Sequence, residues 1–210
     1  MPSIEQARAW YAGYDPVHGF DHILRVLRLA ERIAKAEGAD LEIVRTAVLL
    51  HDASGAETGG EKREEHQHHS AEFAEQVLKA EGWPPERIAA VQHCIRSHRF
   101  RGDEHPHSLE AKVLFDADKL DVIGAFGVAR SIAYDVVMGW PIFAEPSRSF
   151  RQTGEKEPGE SHSSYHEFIF KLGKIKDRLL TATGRQIAES RQKYLNDFFE
   201  QMAAEDRGEK

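Results

Sequence analysis

Histidine and aspartate residues that could bind a metal recur along this chain, and the doublet His51-Asp52 is the clearest of them. The doublet closes the apolar helical run LEIVRTAVLLHD. A neutral imidazole beside a carboxylate pairs a borderline donor with a hard one, which suits a divalent metal that handles phosphate or water. His22 lies about one helix upstream, and an acidic cluster follows downstream at Asp116, Asp118 and Asp121. The order is therefore His, His-Asp, Asp.

Helical phase indicates that these side chains point into the core. Residues three, four and seven positions apart share a helix face, and each candidate shares its face with apolar residues: His22 with Val26, Leu29 and Ile33, His51 with Val44, Ala47 and Val48, and Asp118 with Leu114, Val122 and Ala125. Asp121 is within a turn of Asp118, and phase alone does not separate the two. A buried charge is costly unless it is paired or coordinates a metal. One inward histidine is usually a hydrogen-bonded core residue, but two imidazoles and two carboxylates from three helices indicate a metal site.

The elements that must position these residues are helices, because apolar spacing is helical nearly everywhere and no clean alternating run predicts a strand. The sequence predicts an all-α, single-domain helical bundle over residues 1–210. Asp40 and Ser108 are good N-caps, Pro85 can open a helix, and Gly38 is a stop signal. Helices are predicted over about 19–38, 41–52, 66–81, 85–98, 109–129, 162–181 and 185–203, with an irregular excursion at about 138–163 and a polar C-terminal tail.

Bulk composition fits one soluble domain. A chain of 210 residues should bury roughly 70% of its unfolded surface. The single cysteine, Cys94, excludes an internal disulfide framework and fits a reducing compartment. No secretory signal is evident, and no segment approaches the roughly 18 apolar residues that span a bilayer, so a cytoplasmic location without membrane association is predicted. The net charge of -7 disfavours general electrostatic attachment to nucleic acid.

The combined motifs resemble a known family. The stretch HGFDHILRVLRLAERIAKAEGADLEIVRTAVLLHD, followed by HHSAEFAEQVL, IRSH and LEAKVLFDADKLDVIGAFGVAR, resembles the HD-domain superfamily of metal-dependent phosphohydrolases, and most closely its small single-domain bacterial subgroup. The resemblance covers roughly residues 15 to 200. It implies an all-helical bundle and a metal site built from His22, His51, Asp52 and Asp118. The family pattern thus favours Asp118 over Asp121.

Further residues are predicted to extend the site. His69 and His98 are each in phase with apolar residues and should face inward, where the family resemblance implies a second metal ligand or a contact to phosphate or the attacking water. Arg25 is three residues after His22 and is predicted to brace Asp52 or bind a substrate phosphate. His18 and Lys119 are predicted phosphate contacts, Lys119 by neutralising charge on the leaving group. By contrast, His66, His68 and His93 are expected to be exposed polar residues.

The predicted reaction is hydrolysis of a phosphoester or phosphoanhydride, with a metal-activated water as nucleophile. Mixed nitrogen and oxygen donors favour manganese, iron, cobalt, nickel or zinc, as one ion or two, and Asp52, His69 and His98 are candidates for proton transfer. The resemblance implies a nucleotide substrate, such as a nucleoside triphosphate cleaved to monophosphate and pyrophosphate. Two alternatives stay open: a di-iron oxygenase on the same fold, and a module that senses nucleotides without turnover. The sequence does not indicate the oligomeric state.

Overall fold

Ten α-helices account for most of the residues that the computed structural model describes, which are 1–12, 19–54, 65–99 and 104–210. These ranges contain no strand, which confirms the all-α prediction, and no helix in them combines the length and apolar character needed to cross a membrane. The helices are α1 (Ile4–Trp10), α2 (Phe20–Glu37), α3 (Leu41–Leu50), α4 (His66–Ala80), α5 (Pro85–Ser97), α6 (Leu109–Asp121), α7 (Gly124–Val137), α8 (Arg148–Thr153), α9 (Ser164–Phe170) and α10 (Ala182–Asp206).

The sequence signals at the ends of α2 and α3 act as predicted. Gly38 ends α2 in the left-handed conformation, with φ of 80°, where a side chain would be strained. Asp40 then caps α3, because its carboxylate accepts hydrogen bonds from the backbone N–H groups of Glu42 and Ile43. These two residues define the turn between α2 and α3, and so set the start of the helix that ends at the His51-Asp52 doublet.

The chain groups into two compact units, and the first comprises Met1–Asp118 with Leu180–Gly184. In this unit α3 packs on α2 and α5, and α4 packs on α5. Asp116, on α6, accepts hydrogen bonds from the backbone N–H groups of Leu180 and Thr181 at 2.8 and 2.7 Å. A side chain at Gly184 would place its Cβ 2.4 Å from the Asp116 carboxylate, so this position requires glycine.

The second unit comprises Lys119–Leu179 with Arg185–Lys210 and contains α7, α8, α9, two short 3-10 helices and most of α10. Buried Asp121 accepts a hydrogen bond from Arg130 at 2.8 Å. Gln192 of α10 donates to the Leu172 carbonyl at 3.0 Å. These bonds tie the helices of this unit together, and the single-domain organisation of the whole chain stays a prediction.

The single helix predicted over about 109–129 is wrong, because the chain breaks between α6 and α7. Ile123 is extended, with φ of -125° and ψ of 165°, and Gly124 has a φ of +76°. A positive φ suits glycine and interrupts a right-handed helix. Helical periodicity continues across the break and therefore hid it.

Two other helix predictions need correction. The helix predicted over 162–181 stops at Phe170 and continues as the 3-10 helices Leu172–Lys174 and Lys176–Arg178. The N-terminal helix α1 was missed, although Ser3 and Gln6 form a capping box at its start. Short helices of this kind bury few residues and give a weak periodic signal.

Candidate metal site

His51 occupies the C-cap of α3, where the last backbone carbonyls of the helix orient its ring. Its Nδ1 lies 2.8 Å from the Val48 carbonyl oxygen. A carbonyl only accepts hydrogen bonds, so Nδ1 carries the proton and Nε2 keeps its lone pair. Nε2 is fully buried and has no hydrogen-bond partner within the described residues. A buried lone pair without a partner is the arrangement that a metal ligand requires.

His98 repeats this arrangement at the C-cap of α5. Its Nδ1 lies 2.6 Å from the carbonyl oxygen of Ile95, which again leaves the Nε2 lone pair available. The rings of His51 and His98 are nearly perpendicular, with centroids 5.0 Å apart. The C-terminal ends of α3 and α5 therefore hold two imidazoles of the same tautomer next to each other.

Asp52 lies between two groups of imidazoles. Its Oδ2 is 3.5 Å from His51 Nε2 and 4.0 Å from His22 Nε2. On the other side, Oδ1 is 3.3 Å from His66 Nε2 and 3.5 Å from His98 Nε2, and the two Nε2 atoms are 3.4 Å apart. A carboxylate with imidazoles near both of its oxygens could serve as a ligand in two neighbouring metal positions.

The three downstream aspartates have different environments, which separates residues that helical phase could not. The Asp118 side chain is 13% exposed, and its Oδ1 lies 3.5 Å from His22 Nε2. Asp116 is hydrogen-bonded to Leu180 and Thr181, and Asp121 is paired with Arg130. Of the three, Asp118 is the one next to a histidine of the cluster.

These donors fit a divalent cation. Within the described residues, two overlapping sets of potential ligand atoms lie within 4.8 Å of one another: His22, His51 and Asp118, and His51, Asp52 and His98. Ligands about 2.1 Å from one ion are roughly 3.0 to 3.4 Å apart, close to the 3.5 Å separations observed. Because His51 Nε2 is also buried with no hydrogen-bond partner among the residues that the structure describes, the cluster has the composition and spacing of a metal site.

Charge and burial fix the protonation of two members of the cluster. Burial opposes ionisation of Asp52, but the neighbouring His51, His66 and His98 outweigh it and hold the pKa of that carboxyl well below its usual value. Burial lowers the pKa of His98, although the negative charge of the neighbouring Asp52 opposes this. At neutral pH the site therefore holds an ionised Asp52 and a neutral His98.

The two histidines at the start of α4 do not lie where the sequence analysis expected them. His69 is 32% exposed, and its Nδ1 is 4.0 Å from Glu72. His66, expected at the surface, is only 12% exposed and lies in the cluster. The buried face of α4 passes through Ser70 and Ala74, which are in phase with His66. Small residues form this face, so phase with large apolar residues indicated His69 rather than His66 as the inward-facing histidine.

The remaining predicted site residues are Arg25, Lys119 and His18. Arg25 is 13% exposed and contacts Asp21 at 2.5 Å, Lys119 is buried, and His18 lies outside the described residues. His68 is exposed, as expected, whereas His93 is 19% exposed and contacts Glu104 at 2.6 Å.

The aromatic residues of the 138–163 excursion pack within the second unit. Trp140 contacts His162 with ring centroids 4.7 Å apart, and Phe143 contacts Tyr165 at 4.9 Å. The Ser163 hydroxyl bonds to the backbone of Ala144. These contacts stabilise the excursion against α9, and a role for it in substrate binding stays a prediction.

The sequence profile of the HD domain matches residues 19–123, which include every described member of the cluster. The chain belongs to the HD-domain family. This HD-domain protein is 32% identical over 210 residues to YpgQ of Bacillus subtilis, an uncharacterised protein, across 96% of this chain and 93% of that one.

Solved structures show the same likeness. The crystal structure of Bacillus subtilis YpgQ in complex with ADP has a TM-score of 0.74 at 30% identity and covers 97% of both chains. An HD-superfamily hydrolase from Bacillus thuringiensis has a TM-score of 0.70 at 26% identity, over 97% of this chain and 94% of that one. The cluster thus belongs to an HD domain in a chain of the same overall fold as these proteins.

Proposed function

We propose that this HD-domain protein is a metal-dependent phosphohydrolase that acts on nucleotides. The observation that carries the proposal is the buried cluster of His22, His51, Asp52 and Asp118, in which His51 Nε2 has no hydrogen-bond partner within the described residues. Similarity to HD-superfamily hydrolases supports a hydrolase. The ADP bound to YpgQ supports a nucleotide as the ligand.

The four residues would hold one divalent ion, chosen from manganese, iron, cobalt, nickel and zinc. A bound ion would polarise a phosphate oxygen and lower the pKa of a water molecule. His98 is neutral at neutral pH, so its Nε2 can accept a proton from the attacking water. His66 Nε2 lies 3.4 Å from His98 Nε2 and is placed to donate a hydrogen bond to a phosphate oxygen. Asp52 stays ionised and keeps both oxygens available as ligands.

Arg25 is proposed to contact the substrate phosphate. Arg25 lies one turn after His22 on α2 and carries the fork of donors that suits a phosphate. His18 and Lys119 are further candidates from the sequence. We favour a nucleoside triphosphate cleaved to monophosphate and pyrophosphate, which follows from the family resemblance of the motifs.

The test is a screen of nucleotides and phosphoesters against metal-free protein reloaded with each of the five metals. Asp52→Ala and Asp118→Ala should each lose bound metal and at least about 100-fold in phosphate or pyrophosphate release, while most helicity remains. Asp177→Ala, which removes an exposed carboxylate from a 3-10 helix, is the matched control. Unchanged metal content in both cluster variants would overturn the proposal, and nucleotide binding without product would favour a sensing module.

The arrangement around Asp52 also favours a second candidate, a two-metal site. Imidazoles flank both oxygens of this carboxylate, as a bridging ligand requires. A di-iron oxygenase on this fold would contain two irons per chain, show a mixed-valent spectroscopic signal and consume oxygen without releasing phosphate from any nucleotide. Phosphate or pyrophosphate release with manganese or cobalt would reject this alternative.

A further inference from the structure

One face of α2 carries a line of three exposed cations. Arg28, Arg32 and Lys35, here called the basic stripe, are spaced four and three residues apart and are all exposed. This spacing places them along one side of the helix, over a rise of about 10 Å. Within the described parts of the chain, none of the three forms an ion pair.

The surroundings of the basic stripe leave its charge uncompensated. The stripe lines an open groove of about 660 Å³ together with Glu31 and Ala36. Glu31 is engaged with Arg45 of α3 at 3.2 Å, so the pair adds no net charge to the groove. Like charges three and four residues apart on a helix repel each other. The chain has a net charge of -7, so this cationic line is opposite in sign to the chain as a whole and can attract an anion.

We propose that the basic stripe binds the phosphodiester backbone of a single-stranded nucleic acid. Three cations in a row match a polymer with regularly repeated charges better than one small anion. Two of the three are arginines, whose planar fork pairs with a phosphate in bidentate fashion. A single row of three cations along one helix can contact the phosphates of one strand.

The basic stripe is separate from the metal cluster, although both include residues of α2. His22 is buried near the start of this helix, whereas Lys35 is exposed 13 residues later, about 20 Å along the axis. Binding of a strand to the stripe therefore does not require the cluster, and the inference goes beyond the proposed function.

The test measures binding of labelled 15-residue oligouridylate and oligothymidylate to the metal-free full chain by fluorescence anisotropy at several salt concentrations. The stripe variant is Arg28→Gln/Arg32→Gln/Lys35→Gln, since glutamine preserves helix propensity. The matched control removes three other exposed cations, Lys79→Gln/Lys193→Gln/Arg207→Gln, each paired with a carboxylate. Circular dichroism and Tm of both variants show whether folding is intact.

We expect the wild-type affinity to fall linearly with salt on logarithmic axes, and the stripe variant to lose at least about tenfold at low salt. Loss of three phosphate contacts should reduce the salt slope by about 2, at roughly 0.7 per phosphate for a single strand. The control should change neither value. Equal affinities in the stripe variant and the control would overturn the proposal, as would a wild type that binds polyglutamate or duplex but no single strand.

The two proposals fail separately. Binding is measured without metal, so it does not depend on hydrolysis, and the stripe variant should still hydrolyse mononucleotides at the wild-type rate. Strand binding that is lost in the stripe variant, with no nucleotide hydrolysis in the wild type, would reject only the proposed function. Nucleotide hydrolysis without strand binding would reject only the stripe.

Discussion

Asp116 accepts a hydrogen bond from the backbone N–H of Thr181 at 2.7 Å and a second from the hydroxyl of the same residue at 2.6 Å. Two residues later on α6, Asp118 lies next to His22. Asp116 therefore holds the chain at 180–184, whereas Asp118 belongs to the proposed metal site.

Substitution should separate these tasks. Asp116→Ala leaves the buried N–H groups without acceptors and is expected to lower the free energy of unfolding by about 3 kcal/mol, with metal affinity retained in the folded fraction. Asp118→Ala should abolish metal binding and change the stability of the metal-free protein by less than about 1 kcal/mol. Urea unfolding and metal analysis of both variants check this, and the reverse pattern would contradict it.

Metal addition should stabilise the wild type. A ligand that binds only the folded state at about 100 times its Kd adds roughly 2.7 kcal/mol to the free energy of unfolding, so removal by a chelator should lower Tm. Thermal unfolding with and without manganese measures the difference. His51→Ala should remove this dependence, and a Tm that does not respond to any of the five metals in the wild type would count against the site.

His66 and His69 provide a matched pair on one helix. Because His66 Nε2 lies 3.3 Å from Asp52 and His69 is a third exposed, His66→Ala should reduce kcat/KM for nucleotide hydrolysis about 10- to 100-fold. His69→Ala should leave it unchanged. Steady-state kinetics at saturating metal measure kcat/KM for both variants. A loss of kcat/KM confined to the His69 variant would contradict this prediction and support the site role that the sequence predicts for His69.

The cap of α3 should contribute stability in a pH-dependent way. Asp40→Ala removes the acceptor for two backbone N–H groups and should cost about 1 kcal/mol, whereas Asp40→Asn should cost less because asparagine also caps. Burial opposes ionisation, but the Ile43 N–H and then Arg87 lower the pKa of the Asp40 carboxyl below 3.8. The contribution is therefore complete above pH 3.8 and is lost as the pH falls through the lower folded pKa.

Chemical unfolding of Asp40→Ala and wild type between pH 7 and pH 3 measures this difference. A difference that grows with acidification would contradict the assignment.

Cys94 should be unreactive in the folded protein. The side chain is fully buried, and burial together with the charge of Glu110 raises the pKa of the thiol to about 12. Thiolate is the nucleophile, so a thiol reagent at pH 8 should not modify the native chain but should modify the same cysteine in concentrated guanidinium chloride. Rapid reaction of the native protein would show that α5 opens locally.

Local signals predicted most of the helices around the cluster. Helix ends are fixed by backbone conformation and hydrogen bonds that act within a few residues, as at Gly38, Asp40, Pro85 and Ser108. Their effect is therefore visible in a single sequence. The break at Ile123 and Gly124 was not visible, because hydrophobic periodicity continues on both sides of it.

The site was predictable where the motif and the phase agreed. His22, His51 and Asp52 lie on faces with large apolar residues, and the structure brings them together with Asp118. His66 was missed because its face carries Ser70 and Ala74, small residues that permit close helix packing but carry no hydrophobic signal. Tertiary packing, rather than periodicity, decides between neighbouring histidines.

The two C-cap histidines are oriented by helix carbonyls. In His51 and His98, the Nδ1–H group donates a hydrogen bond to the backbone carbonyl of the third residue before it. These bonds hold the Nε2 ligand atoms in place before a metal ion binds. Metal exchange then requires no refolding, unlike in small domains that fold only around their metal. We expect one ion to replace another in the native state, so the metal carried in the cell would be set by which ion is supplied.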